Sequence, residues 1–256
     1  MDKNISINIP DRNDSYPNGS KFVNSIMNLQ MSQHREDLVL EQFLSGNVPD
    51  FLHNLVDITV LANGHRITYQ VMPDVLSIGT DNDFVRIPMA PLTGQKIADA
   101  YGCCLPTKKM VEDIWKESAI KLEPQPMGPP YDSTMSSTER LVKHNQMVQD
   151  SFNAAGGQLG QLVSGHKKDV VITNQLSHPC KTVSIYGWIH KNGTVIQGLN
   201  AVSHSVDYYD YAHSIRLINI NVIVDGNDMS LKDVFKDPAL CGLVSDEGAI
   251  TSPFYN

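Results

Sequence analysis

Residues 203–216 (SHSVDYYDYAHSIR) bring together two histidines, two aspartates, three tyrosines and an arginine. No other stretch concentrates so many groups able to move protons, bind a metal or hold a polar ligand. Asp210 and His213 stand three apart, just ahead of the apolar run 215–224. His213 there reads as a general base, with Asp210 or Asp169 fixing its tautomer. Arg216 reads as a clamp for a substrate carboxylate. Tyr208, Tyr209 and Tyr211 supply the amphipathic walls of a sugar or peptide site. The competing reading is a polar, tyrosine-rich loop whose histidines pair with neighbouring carboxylates.

Cys103 offers a nucleophile. It falls in a break between two predicted helices, just ahead of the amino terminus of the second, where unpaired amides and the helix dipole lower a thiol's pKa. A cysteine opening a helix, with histidine on a later antiparallel strand, is the chain order of papain-like and cell-wall amidase folds. Its logic is nucleophile, base and orienter. The alternative is that Cys103 and Cys104 are ordinary buried small residues. Cys103, Cys104, Cys180 and Cys241 make no CxxC spacing, and adjacent cysteines rarely bridge each other, so neither a zinc site nor a disulfide framework is indicated by them.

A metal site is the second option. His166 and Asp169 are three apart in HKKD, and with His204 and His213 they could supply the nitrogens and carboxylate of a catalytic zinc. No HExxH or comparably tight signature accompanies them. The expectation is therefore no cofactor, with zinc as the alternative. Lys167 and Lys168 read as a solvated pair, or as an attraction for an anionic substrate. Trp188, after Tyr186 and Gly187, floors a ligand groove or belongs to the core; His178 and His190 read as turn histidines.

The elements that must position these groups follow from periodicity. Apolar residues at helical spacing predict two antiparallel helices over 20–47, broken near 31–33. Asn63-Gly64 between alternating apolar runs predicts a hairpin, with further strands at 75–78 and 84–87. Thr93 caps a helix ending at Gly102, and a second helix starts at Pro106. A proline-rich connector at about 123–133 leads to a helix opened by the Ser136/Glu139 spacing. Strands at 169–173 and 183–188, an Asn192-Gly193 turn, one long strand at 215–224 and a short helix near 231–235 complete the order. Helices and a small sheet followed by helices and a larger, mostly antiparallel sheet make an α+β protein. Residues 1–20 read as a flexible arm, and 21–256 as one domain.

With 256 residues the chain can bury a full core. A net charge of −8 argues against nucleic-acid or anionic-membrane partners, and no apolar run approaches a membrane span. The first twenty residues are polar and show no leader. The oligomeric state is not legible.

Several segments taken in order, GNVP (46–49), GCCLPTKKMV (102–111), GHKKDVVIT (165–173), SIYGW (184–188), HSVDYYDYAHSIRL (204–217) and LVSDEG (243–248), resemble a family of uncharacterised bacterial proteins. The likeness runs from about Leu38 to Tyr255 and implies no activity. It places the family's single cysteine on Cys103. Ala212-His213-Ser214 stands where the family has Ser-His-Gly, which removes any shared role for that serine or glycine. Export of many relatives implies an extracellular or periplasmic location.

These features together predict a hydrolase or acyl-transferase acting on an amide or ester, with cell-wall peptide as the first substrate class. Cys103 is then the nucleophile, His213 the base and Asp210 the orienter. His204, Tyr208, Tyr211, Arg216, Trp188, His166 and Asp169 line the substrate pocket. The rivals are a metal hydrolase on His166, Asp169, His204 and His213, and a non-enzymatic glycan- or peptide-binding protein.

Overall fold

Asn63 and Gly64 adopt φ values of 55° and 81°, the left-handed pair a tight hairpin needs, and so join strands β1 (Val56–Ala62) and β2 (His65–Val71) in full register. The computed structural model describes residues 7–256. In chain order its helices are α1 (Gly19–Ser25), α2 (Gln33–Leu44), α3 (Pro91–Tyr101), α4 (Lys108–Glu117), α5 (Thr138–Ala154) and α6 (Leu231–Lys236). The strands are β1 (Val56–Ala62), β2 (His65–Val71), β3 (Ser77–Thr80), β4 (Asp83–Arg86), β5 (Cys103–Cys104), β6 (Ile120–Lys121) and β7 (Val163–Ser164). They continue with β8 (Lys168–Val170), β9 (Ile185–Ile189), β10 (Val195–Asn200), β11 (His213–Ser214), β12 (Ile218–Asn219), β13 (Asn221–Val224) and β14 (Asn227–Ser230). The α+β reading holds, and the pairings are antiparallel except for β6 with β7 and β8 with β11.

Two sheets organise the chain. One runs β14-β13-β2-β12-β5, with β1 on the other edge of β2; the other runs β10-β9-β8-β11. The expected long strand at 215–224 is instead two short strands, β12 and β13, with β11 just ahead of them. The reason is that 213–219 serves two sheets in turn. His213 and Ser214 pair with β8, the Ile215 and Leu217 carbonyls accept from Leu76 and Met72, and Ile218 pairs with β2 and β5. One straight strand cannot do all three.

Local chemistry sets most boundaries near their expected places. Ser32 caps α2, accepting from the Arg35 amide after the break that follows α1. Gly102 ends α3 at φ 68°, as expected. The third helix starts two residues earlier than Thr93, with Pro91 in its first turn. The fourth, capped by Thr107, begins at Lys108, two residues beyond the expected Pro106, and the fifth is capped by Ser137, one residue beyond the expected Ser136.

The core is continuous between the two sheets. Ile58, Ile67 and Tyr69 of the first sheet, Phe43 of α2, Ile97 of α3 and Ile185 of the second all belong to one buried cluster. Residues 7–20, the described part of the expected arm, end in the first turn of α1 and are fastened by the Asn8 amide to the Tyr101 carbonyl and by Arg12 Nε to Asn47 Oδ1 at 3.0 Å; the first six positions lie outside the described residues. No helix among the described residues is long and apolar enough to cross a membrane.

Candidate functional site

The HKKD segment and the histidine-rich stretch meet side by side, because β8 and β11 pair in parallel with Lys168 opposite His213 and Asp169 opposite Ser214. The stretch enters that pairing from a loop. Its first half is tied to 181–183 by the Val183 amide to the His204 carbonyl and the Val206 amide to the Lys181 carbonyl. At Tyr211 it turns inward, where its amide donates to the Met135 carbonyl. Two environments result within fourteen residues.

The outer half faces a cleft of about 800 Å³, within the size range of ligand pockets. His204, Tyr208 and Asp210 line one side of it. One wall is the α1–α2 connection, including Met27, Leu29 and Met31; the other is the segment from Tyr131 through the start of α5. The His204 and Tyr208 rings stack with centroids 4.1 Å apart. Burial holds the His204 pKa below its usual value, so the ring is neutral at pH 7. Asp210 Oδ2 lies 3.2 Å from Lys168 Nζ, and its Oδ1 accepts from the Ala212 amide at 2.7 Å. Burial opposes its charge, but the Lys168 ammonium and the Ala212 amide outweigh this and keep the carboxylate ionised.

The inner half is scaffold. Tyr211 is buried, its hydroxyl accepts from the Met127 amide at 2.8 Å, and its ring meets His144 at 4.9 Å. Arg216 was expected to clamp a substrate. It is 1% exposed, and its guanidinium donates to the carbonyls of Met72 and Val163 at 2.9 and 2.7 Å. It therefore bridges two chain segments and reaches no solvent. Asp169 accepts from Ser214 Oγ at 3.1 Å and lies 3.9 Å from Arg216 Nε. His166 Nε2 meets Asp74 Oδ1 at 3.0 Å. Trp188 is buried, with its indole N–H on the His166 carbonyl and the Lys168 ammonium 4.6 Å above its ring. It is also held at φ 55°, an unusual state for a bulky residue, next to Gly187 at φ 126°. That kink directs its amide to the Lys167 carbonyl.

His213 lies under this floor. Its Nε2 is 3.9 Å from Asp210 Oδ2, its ring meets the Tyr208 ring edge-on at 5.6 Å, and burial lowers its pKa to about 4. It is neutral at pH 7 and walled off from the cleft by Tyr208. Lys167 and Lys168, expected as a solvated pair, are instead drawn inward. Lys167 is buried and donates to the Tyr211 carbonyl at 2.6 Å, and burial lowers its pKa to about 7.

Two residues that the sequence reading passed over anchor the inner half. Asp74 and Arg86 form a buried ion pair through two 2.8 Å contacts. Burial works against the Asp74 charge, yet Arg86, His166 and Arg216 overcome it and drive its pKa well below the carboxylate range. An arginine between Val85 and Ile87 on a short strand was the available signal. The walls at 27–31 and 131–138 carried none, since turn residues of mixed polarity fit any loop.

Cys103 does not stand at a helix start. It opens β5, pairs with Asn219 and is followed by four residues before α4 begins. It is 1% exposed, its thiol points to the Tyr101 carbonyl at 3.7 Å, and burial pushes its pKa up rather than down. It belongs to a different sheet from His213. The thiol that does meet an imidazole is Cys180, 3.8 Å from His178 Nδ1. The four proposed zinc ligands are likewise distributed: His166 to Asp74, Asp169 to Ser214 and Arg216, His204 to the cleft and His213 beneath it. Among the described residues no group of three or more His, Cys, Asp or Glu is arranged to hold a metal ion.

Comparison with family models, curated proteins and solved structures returns no match. The site is read from its geometry.

Proposed function

We propose that the protein recognises a short peptide-like ligand in the cleft over His204, Tyr208 and Asp210. The observation that carries this reading is the cleft itself. It combines apolar walls from Met27, Leu29 and Met31 with a floor of two stacked rings and a fixed carboxylate. Methionine and leucine walls suit extended apolar side chains. Tyr208 and His204 add flat surface with polar edges, and the exposed Asp132, Ser133 and Thr134 add polar side chains on the facing wall. A glycan would use the same aromatic floor but has less use for the methionine wall.

A panel of short peptides tests the proposal by calorimetric titration. At least one should bind with a Kd below about 1 mM, and Tyr208→Ala should weaken it about tenfold with little change in melting temperature. Absence of binding across the panel, or binding indifferent to Tyr208→Ala, removes the reading.

A second reading, hydrolysis of an amide or ester, is favoured by one observation. His204 is a neutral imidazole on the cleft, and a neutral imidazole can take the proton of an attacking water. On this reading His204, and neither Cys103 nor His213, is the base. Product release from a bound peptide that His204→Ala abolishes while leaving binding in place would select it; binding without turnover selects recognition alone.

A further inference from the structure

Each wall of the cleft sets an uncovered apolar side chain beside an acid. Tyr131, 73% exposed, precedes Asp132, and both line the cleft. On the opposite wall Met31 is 38% exposed. It also lines a smaller cleft of about 320 Å³ that Glu36 and Asp207 share. No lysine or arginine lines either space. Of the nearest cations, Lys168 pairs with Asp210 at the cleft, and Arg140, which acts on Asp132, donates to the carbonyls of Pro130 and Gly128 at 2.7 and 2.5 Å. Arg35 is buried, donating to the Ser136 carbonyl at 2.7 Å with its guanidinium 5.4 Å from the Tyr209 ring centre.

From this we infer that the ligand is a cationic peptide, with lysine or arginine set beside apolar residues. The inference rests on the peptide-recognition reading above and specifies its substrate class. Two physical terms act together. Asp132 on the larger cleft and Asp207 on the smaller one, which share Met31, set negative potential, and a chain of net charge −8 adds long-range attraction for a cation. Tyr131 and Tyr208 present aromatic faces, which favour an ammonium or guanidinium over a carboxylate. Asp132 does have a local task as well, capping the short helix at Ser133–Ser136 through the Thr134 amide at 2.9 Å. That task holds the carboxylate at the cleft and lowers its pKa, which keeps it charged. The amino ends of α2 and α5 also border these spaces, but Ser32 and Ser137 cap them and Glu36 and Glu139 occupy their first turns. They therefore offer an acidic ligand little.

The test uses three blocked peptides of equal length, matched in their apolar positions and carrying lysine, glutamine or glutamate at the variable ones. Kd is measured by fluorescence anisotropy on the full chain at low and moderate salt. The lysine peptide should bind about 3- to 10-fold tighter than the glutamine peptide, the scale of two exposed charge pairs, and its advantage should shrink with salt. The glutamate peptide should bind weakest. In the double variant Asp132→Asn/Asp207→Asn the lysine peptide should fall to the affinity of the glutamine peptide; asparagine retains the capping acceptor, and an unchanged melting temperature verifies the fold. If the three peptides bind alike, or glutamate binds best, while Tyr208→Ala still weakens all of them, the charge inference is overturned and peptide recognition stands. If none of the three binds, the recognition reading falls and the inference with it.

Discussion

Tyr208 and Tyr211 are three residues apart and chemically identical, yet they do opposite work. Tyr208 stacks on His204 at the floor of an open cleft, whereas Tyr211 is sealed between Met127 and His144. The same division separates His204 and Asp210 from His213 and Arg216, while Tyr209, although before the turn, is buried against Arg35. His204 and Asp210 line the cleft; His213 pairs with β8, and Arg216 ties the Met72 and Val163 carbonyls together. A dense run of reactive side chains is thus not one site. Where the chain dives from loop to sheet, residue types suited to catalysis become buried core polar groups, and the cleft is lined by residues that precede the dive.

The largest way to break the inner half is to remove Arg86. Arg86→Ala leaves Asp74 buried without its main partner and should lower unfolding free energy in urea by about 3–5 kcal/mol. A loss under about 1 kcal/mol would show that the pair does not anchor this region. Tyr211→Ala should cost about 3 kcal/mol through the cavity and the orphaned Met127 amide. Tyr208→Ala should cost less than about 1 kcal/mol, since its ring borders open space. Equal losses for the two tyrosines would abolish the division.

Acid should sharpen the same contrast. His213 titrates near 4 in the fold but near its ordinary value when unfolded, so between about pH 6.5 and 4 the unfolded chain binds the extra proton. Stability conferred by the neutral ring is present above that window and falls as pH drops through it, by up to about 3 kcal/mol. His166 and His144, lowered by burial, act in the same direction, while Asp169 and Glu36, raised by burial, oppose it. The contribution of His213 is therefore read as a difference: His213→Gln should flatten the pH profile of unfolding free energy relative to the unaltered chain. Parallel profiles would mean that His213 is not the buried neutral group described.

The smallest effect concerns thiols. In the native state Cys103 should alkylate with iodoacetamide far more slowly than an exposed thiol at every pH from 7 to about 9, because burial disfavours its thiolate. Rapid labelling with a pKa below about 8.5 would restore it as a nucleophile.

Much of this architecture was legible in the sequence. Asn63-Gly64 needed its hairpin, Gly102 its left-handed stop, and the HKKD segment did come to lie against the histidine-rich stretch. These features depend on one or two residues whose backbone or pairing preference dominates. What was not legible depends on partners distant in sequence. Cys103 looked like a helix start because Gly102 and Pro106 bracket it, but its pairing with Asn219 makes it a strand. Arg216 looked like a clamp because nothing local reveals that the Met72 and Val163 carbonyls wait for it. The cleft walls at 27–31 and 131–138 come from turns, whose composition says little about what they will face.

The most direct test of the division is an amide-resolved NMR titration of the full chain with the lysine-bearing peptide. Saturable shift changes should concentrate in 27–31, 131–138 and 204–210, with the amides of 166–169 and Cys103–Cys104 nearly unmoved. Shifts centred on Cys103, or spread through 166–169 and 213–216 while the cleft walls stay still, would contradict it.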